Sequence, residues 1–158
     1  MMKLISAISL LLAAVNATPL NLVESDLGSL EKRDTEIIYL SNCLKSVSSG
    51  SPTASSEIIY YAASAQSNGQ VPPTQDQCTV SASSYTTWEG QSRACKFSTG
   101  VTFTSHIEAG SHSFPSFSGT GNNGKNWNCY RDNGRGLFTT SGPEWSRTCS
   151  SVYYCVPA

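Results

Sequence analysis

The sequence predicts an all-β protein, a small antiparallel β-sandwich or compact barrel stabilised by disulfides. Three observations carry this reading. From Asp34 onward the chain holds 36 Ser and Thr among 125 residues and only three Leu (Leu40, Leu44 and Leu137). Its apolar content comes instead from Ile, Val, Tyr, Phe and Trp, which favour strands, and good helix formers are scarce. About seven or eight short apolar or alternating runs recur between Gly, Pro, Asn and Ser turns, the spacing of a sandwich or barrel. All six Cys (Cys43, Cys78, Cys95, Cys129, Cys149 and Cys155) fall in this stretch, and an even count suits a disulfide framework in an oxidising compartment.

The first 33 residues read as processing signals. Lys3 precedes an apolar run from Leu4 to Val15, which ends in the small-residue exit Val15-Asn16-Ala17. That is a secretory signal peptide over 1–17, too short to be a spanning helix. An acidic, Leu-spaced pro-segment is expected over 18–33, ending at Lys32-Arg33. This dibasic pair resembles the cleavage sites of the kexin-type protease of the fungal secretory pathway. A single mature domain is then expected over 34–158, secreted and monomeric. No apolar run of membrane-spanning length follows the N-terminus, so no membrane span is expected.

The elements follow in order. Glu36 to Cys43 is a near-continuous apolar run, expected as a central strand buried on both faces. Ser56 to Ala62 repeats its Glu-Ile-Ile-Tyr core and pairs with it across Ser48-Ser49-Gly50-Ser51-Pro52; a short helix over Ser56 to Ala65 is the competitor, because Ala62, Ala63 and Ala65 favour it. Gln77 to Ser81 and Thr86 to Gly90 are further candidate strands. Cys95 to Ile107 reads as a hairpin turning at Thr99-Gly100, with Val101, Phe103, Ser105 and Ile107 on one face and Thr102, Thr104, His106 and Glu108 on the other. The Gly/Ser-rich stretch Gly110 to Gly124 reads as an ordered surface loop. Trp127 to Arg131 and Arg135 to Thr139 flank Asp132-Asn133-Gly134, a strong hairpin signal. Ser151 to Val156 is the last strand.

Six Cys allow 15 pairings. Cys149 is expected to join an earlier Cys, or Cys155 in a short closing loop. No C-x-x-C pair occurs and both His lie far from any Cys in sequence, so neither a metal site nor a cofactor is expected.

Candidate chemistry is sparse. His106 and Glu108, two apart on one strand, share a polar face; His112 follows on the Gly/Ser loop, and Arg131 and Arg135 lie on the next hairpin. Imidazole, carboxylate and guanidinium are what a metal-free ribonuclease needs: a base for the 2′-hydroxyl, an acid for the leaving oxygen and a cation for the phosphorane. Small secreted fungal ribonucleases use such a set on a β-sheet, with a His-Thr-Gly-like segment that this chain lacks. No G-x-S-x-G elbow marks a serine hydrolase. Gly119 to Gly124 lacks the Lys-Ser/Thr of a phosphate loop.

Charge is uneven: residues 34–90 carry a net −4 and residues 91–158 a net +3. The basic half interleaves Trp127, Tyr130 and Trp145, candidate contacts for a glycan, a protein or RNA. Trp88 reads as core. No N-glycosylation sequon occurs after Ala17-Thr18.

The layout of signal peptide, dibasic pro-segment and Cys-rich domain resembles that of fungal small secreted proteins. Tyr39-Leu40-Ser41-Asn42-Cys43, Trp88-Glu89-Gly90, Phe103-Thr104-Ser105-His106-Ile107, Asn128-Cys129-Tyr130-Arg131-Asp132-Asn133-Gly134-Arg135 and Ser151-Val152-Tyr153-Tyr154-Cys155 resemble segments in a group of effector-like secreted ascomycete proteins without assigned activity. The resemblance implies an interaction protein and carries over no catalytic residue. The leading expectation is a secreted effector or virulence-associated protein that binds a host protein or a cell-wall glycan. A small ribonuclease or ribonuclease-like toxin is the second, and a glycan-binding protein using its Trp residues the third.

Overall fold

The computed structural model describes residues 35–158. The expected signal peptide and pro-segment, with Ala17, Lys32 and Arg33, lie outside the described residues. Among the described residues the fold is all-β, with nine strands: β1 (Ile37–Val47), β2 (Thr53–Tyr61), β3 (Gln77–Ser81), β4 (Gln91–Lys96), β5 (Thr102–Ile107), β6 (Phe117–Asn122), β7 (Asn126–Arg131), β8 (Gly136–Gly142) and β9 (Trp145–Pro157). Helical structure among the described residues amounts to two single 3₁₀ turns, Ser64–Ser67 and Thr74–Asp76.

One antiparallel sheet runs in the order β3-β2-β1-β9-β7-β6-β5-β4 and curls into a nearly closed barrel. Its terminal strands, β3 and β4, share no backbone ladder. They are joined instead by the Cys78–Cys95 disulfide, with Cα atoms 6.0 Å apart. β9 is the axis of the sheet. β1 pairs along nearly all of one edge, while β8 and β7 share the other, beside Trp145–Ser150 and Tyr153–Pro157 respectively. Directly opposed cysteines tie β9 to both sides: Cys43–Cys149 to β1 and Cys129–Cys155 to β7, each with Cα atoms 4.0 Å apart. Cys149 therefore takes the earlier-partner option of the sequence reading, and the Cys149–Cys155 option falls. Residues six apart on one strand cannot meet, whereas opposed residues on paired strands can.

The barrel interior is filled by Ile38, Leu40, Ile58, Trp88, Phe103, Ile107, Trp127 and Tyr153, all essentially buried. Full burial of such side chains contributes roughly 1.5–3 kcal/mol each. A second cluster lies outside the barrel wall, where β8 places Leu137 and Phe138 over Ile37, Tyr39, Ile59 and Tyr61. β1 is thus buried on both faces, as its continuous apolar run predicts. The segment after β2 is pinned to β8 by the Gly69 N–H donating to the Leu137 carbonyl (2.8 Å).

β1–β2, β4–β5 and the two-faced pattern of β5 match the sequence reading, and the competing helix at Ser56 to Ala65 is absent beyond the short turn at its end. Three expectations are corrected. The stretch read as a Gly/Ser surface loop contains β6, paired on both edges. Its glycines are structural: a Cβ at Gly121 would stand 2.3 Å from the Phe103 ring, and one at Gly119 2.1 Å from the His106 carbonyl oxygen. The hairpin expected at Asp132-Asn133-Gly134 does not form; β7 and β8 lie end to end along β9. There the Asp132 and Asn133 side chains accept from the backbone N–H groups of Asn133 (2.8 Å) and Arg135 (3.0 Å), so the connection is held by Asx bonding rather than a ladder. Thr86 to Gly90 is not a strand: Glu89 makes an isolated bridge to Ile107, and the chain turns at Gly90 with φ +70°.

Candidate functional site

The outward face of β4 to β7 continues onto β9, where Tyr154 and Val156 are part-buried against the cluster of Leu137 and Phe138. Side chains there stand in register across the strands. One row is Ser92, His106, Thr120, Asn128 and Val156; the next is Ala94, Thr104, Asn122 and Asn126. None of these nine carries a carboxylate, ammonium or guanidinium group. Beside them runs an aromatic row, Phe117, Tyr130 and Tyr154, continued by buried Tyr39. Phe117 meets Tyr130 edge to face at 5.8 Å, and Tyr130 stacks on Tyr154 at 5.4 Å. Period-two alternation produces the face: Phe103, Trp127 and Cys129 point inward, and their neighbours point out.

The polar rows form a shallow depression of about 490 Å³ lined by Thr104, His106, Thr120, Asn122, Asn126 and Asn128. His106 Nδ1 lies 3.1 Å from the Ser92 hydroxyl, and Asn122 donates to Asn126 (2.9 Å). The side-chain groups of Thr104, Thr120 and Asn128, and Nε2 of His106, make no hydrogen bond to other described residues. The depression therefore presents donors and acceptors that have no partner among the described residues.

A second constellation occupies one mouth of the barrel. Glu89, Gly110, Ser111, His112 and Arg131 line an open cleft of about 380 Å³, and fully buried Tyr153 lies behind it in contact with Glu89, Arg131 and His112. The Tyr153 hydroxyl donates to Glu89 Oε1. Arg131 Nη1 lies 3.7 Å from the same oxygen, and its guanidinium sits 4.9 Å from the Tyr153 ring centre. The His112 ring meets Tyr153 edge to face at 6.1 Å. Burial, reinforced by the bond to Glu89, pushes the Tyr153 hydroxyl up to about 12, so it stays a donor at neutral pH. His112 Nε2 is 2.9 Å from the Glu108 carbonyl oxygen. A carbonyl only accepts, so Nε2 carries a proton and Nδ1 is the nitrogen left to exchange one.

The residues read from sequence as one catalytic group are thereby divided. His112 and Arg131 come together in the cleft. His106 stands on the outer sheet face. Glu108 is exposed, and only its backbone carbonyl meets His112. Arg135 is a clamp: it donates to the Ser67 carbonyl (3.0 Å), the Ser67 hydroxyl (2.7 Å) and the Tyr39 hydroxyl, and pairs with Asp132 at 3.6 Å. Of the aromatics expected to bind, Trp127 is instead fully buried, with Nε1 donating to Asn123 (2.8 Å). Tyr130 lies in the outer aromatic row, and Trp145 is part-exposed beside Lys45, well along β9 from that row. Sequence reasoning missed Glu89 and Tyr153 as site members. Their signals were Trp88, whose burial fixes its neighbour at the mouth, and the inward Ser151-Tyr153-Cys155 alternation.

Cys43, Cys149 and Glu57 bring potential metal-ligand atoms within 4.8 Å, but the two sulfurs are bonded to each other and offer no thiolate. Glu57 is instead paired with Arg147 and accepts from Ser55 (3.1 Å). Among the described residues no helix is long and apolar enough to cross a membrane. Comparison with protein-family models, curated proteins and solved structures returns no match.

Proposed function

We propose that the protein acts outside the cell by binding, and that its ligand is a neutral polysaccharide of a cell wall, laid across the outer face of β4 to β7 and β9. The observation that carries this reading is the depression of hydrogen-bonding groups at Thr104, His106 Nε2, Thr120 and Asn128, with no carboxylate, ammonium or guanidinium among them, bordered by Phe117 and Tyr130. A polysaccharide without charge offers hydroxyls and the apolar faces of its rings. Side-chain amides, hydroxyls and imidazole match the former, and aromatic rings match the latter. A face meant only to keep the protein soluble is better served by Lys and Glu, which these rows lack. Three disulfides suit an extracellular setting. With the resemblance to effector-like ascomycete proteins, this reading makes the molecule an effector that engages the wall of a host or competitor.

The test is retention of the oxidised protein on insoluble β-glucan, chitin and xylan, with release by soluble oligosaccharides of the same sugar. One of these matrices is expected to hold the protein. The double variant His106→Ala/Asn128→Ala is expected to weaken retention by about tenfold or more, since each lost hydrogen bond contributes roughly 0.5–1.5 kcal/mol. No retention on any matrix, or unchanged retention of the double variant, refutes the reading.

A further inference from the structure

The cleft at the barrel mouth is separate from the outer face and holds different chemistry. We infer that it is a second, catalytic site that cleaves single-stranded RNA by transfer of the phosphodiester to the adjacent 2′-hydroxyl. The inference rests on what converges there. Among the described residues Glu89 is the one carboxylate lining the cleft. It is held by Tyr153 and faced by Arg131. His112 is fixed through Nε2, leaving Nδ1 to trade protons. A glycosidase needs two carboxylates across the scissile bond, and this cleft offers one. One carboxylate, one imidazole and one guanidinium are the complement for a phosphodiester whose nucleophile is already in the substrate. At about 380 Å³ the cleft falls within the usual range of small-ligand pockets.

The step closes without a further reactant. Glu89 accepts the proton of the 2′-hydroxyl as the 2′-oxygen bonds to phosphorus. The bond from phosphorus to the 5′-oxygen breaks, and protonated His112 gives its Nδ1 proton to that leaving oxygen. The products are a 2′,3′-cyclic phosphate and a free 5′-hydroxyl. Arg131 turns from Glu89 to the phosphoryl oxygens, where charge accumulates in the transition state, while Tyr153 keeps Glu89 in place. Glu89, His112 and Arg131 are catalytic residues in this scheme, and Tyr153 is a positioning residue.

The experiment incubates the oxidised protein with a single-stranded oligoribonucleotide in the presence of EDTA. Cleavage is expected, with cyclic-phosphate ends, and a 2′-deoxy substitution at the cut nucleotide is expected to block it. Glu89→Gln and His112→Ala are each expected to lose about 100-fold or more in rate. Tyr153→Phe is expected to lower kcat while leaving KM unchanged. Lys96→Ala, on exposed β4, is expected to cut like the parent. Near-ultraviolet circular dichroism and disulfide content establish that each variant is folded. Absence of cleavage by the folded parent, cleavage at the deoxy position, or full activity in both Glu89→Gln and His112→Ala overturns the inference. Both cleft variants should still be retained on polysaccharide, so this inference and the binding reading fail separately.

Discussion

Replacing both Cys78 and Cys95 by Ala tests how the barrel is closed. The two lie 17 residues apart in sequence, and freeing a loop of that length in the unfolded chain costs about 3 kcal/mol of stability on the chain-entropy relation. That is roughly a 200-fold shift in the unfolding equilibrium, at about 1.4 kcal/mol per decade. The same relation gives about 5 kcal/mol for the 106-residue separation of Cys43–Cys149. The smaller number has the more local consequence. Cys43–Cys149 lies within a continuous ladder between β1 and β9, whereas no ladder joins β3 to β4. Urea unfolding of the double variant should therefore show the stability loss, and native-state hydrogen exchange should show it concentrated in β3 and β4. A loss below about 1 kcal/mol with unchanged protection in those strands would refute the reasoning, since packing of Trp88, Phe97 and Val80 would then suffice to hold the seam.

Two further outcomes are expected. Glu57→Ala strands Arg147 in a largely buried pair whose side chains are 7% and 20% exposed, so it should cost about 3–5 kcal/mol. Glu57→Ala/Arg147→Met should recover much of that in a double-mutant cycle, and additive single effects would show that the pair is uncoupled. Burial raises the hydroxyl pKa values of Tyr39, Tyr61, Tyr153 and Tyr154 above the ordinary value near 10. Above that pH the unfolded chain sheds protons that the folded protein keeps, so stability should fall steadily as pH rises toward about 12, where Tyr153 itself ionises. The urea midpoint measured across this window reports the slope; Tyr153→Phe should flatten it, and a midpoint independent of pH would contradict the burial of these hydroxyls.

The strands legible in the sequence were those whose side chains declare a period. Phe103 to Ile107 alternates because one face meets the interior, whereas Val101, read onto the same face, is exposed ahead of β5; Ile37 to Leu40 does not alternate because both faces are covered. β6 was illegible for the opposite reason. Gly119 and Gly121 sit where the β5 backbone and the Phe103 ring leave no room for a Cβ, so close packing produced the composition of a loop. Asn133-Gly134 suggested a hairpin because local turn chemistry is blind to a third strand long enough to serve both flanking segments. The site divided along the same line. His112 and Arg131 were visible as residue types, but their partner Glu89 is 23 positions from His112 and reaches it only because the barrel brings the start of β4 beside the β5–β6 connection. His106 and Glu108 shared a face in sequence, yet β5 ends at Ile107 and the chain turns away.

The place of β9 has a consequence for how the molecule is made. Synthesis runs from the N-terminus, and the strand around which β1, β7 and β8 are arranged is the last to emerge. Until then β1 has only β2 beside it, and β8 has no partner at all. Cys78 and Cys95 can meet before β9 is made, but Cys43 and Cys129 must wait for their partners on β9. Assembly is therefore held back until β9 is made, and a chain cut short of it carries β1, β7 and β8 without their shared neighbour and Cys43 and Cys129 without theirs. Those open edges and thiols are the features by which an incomplete chain differs from the finished fold.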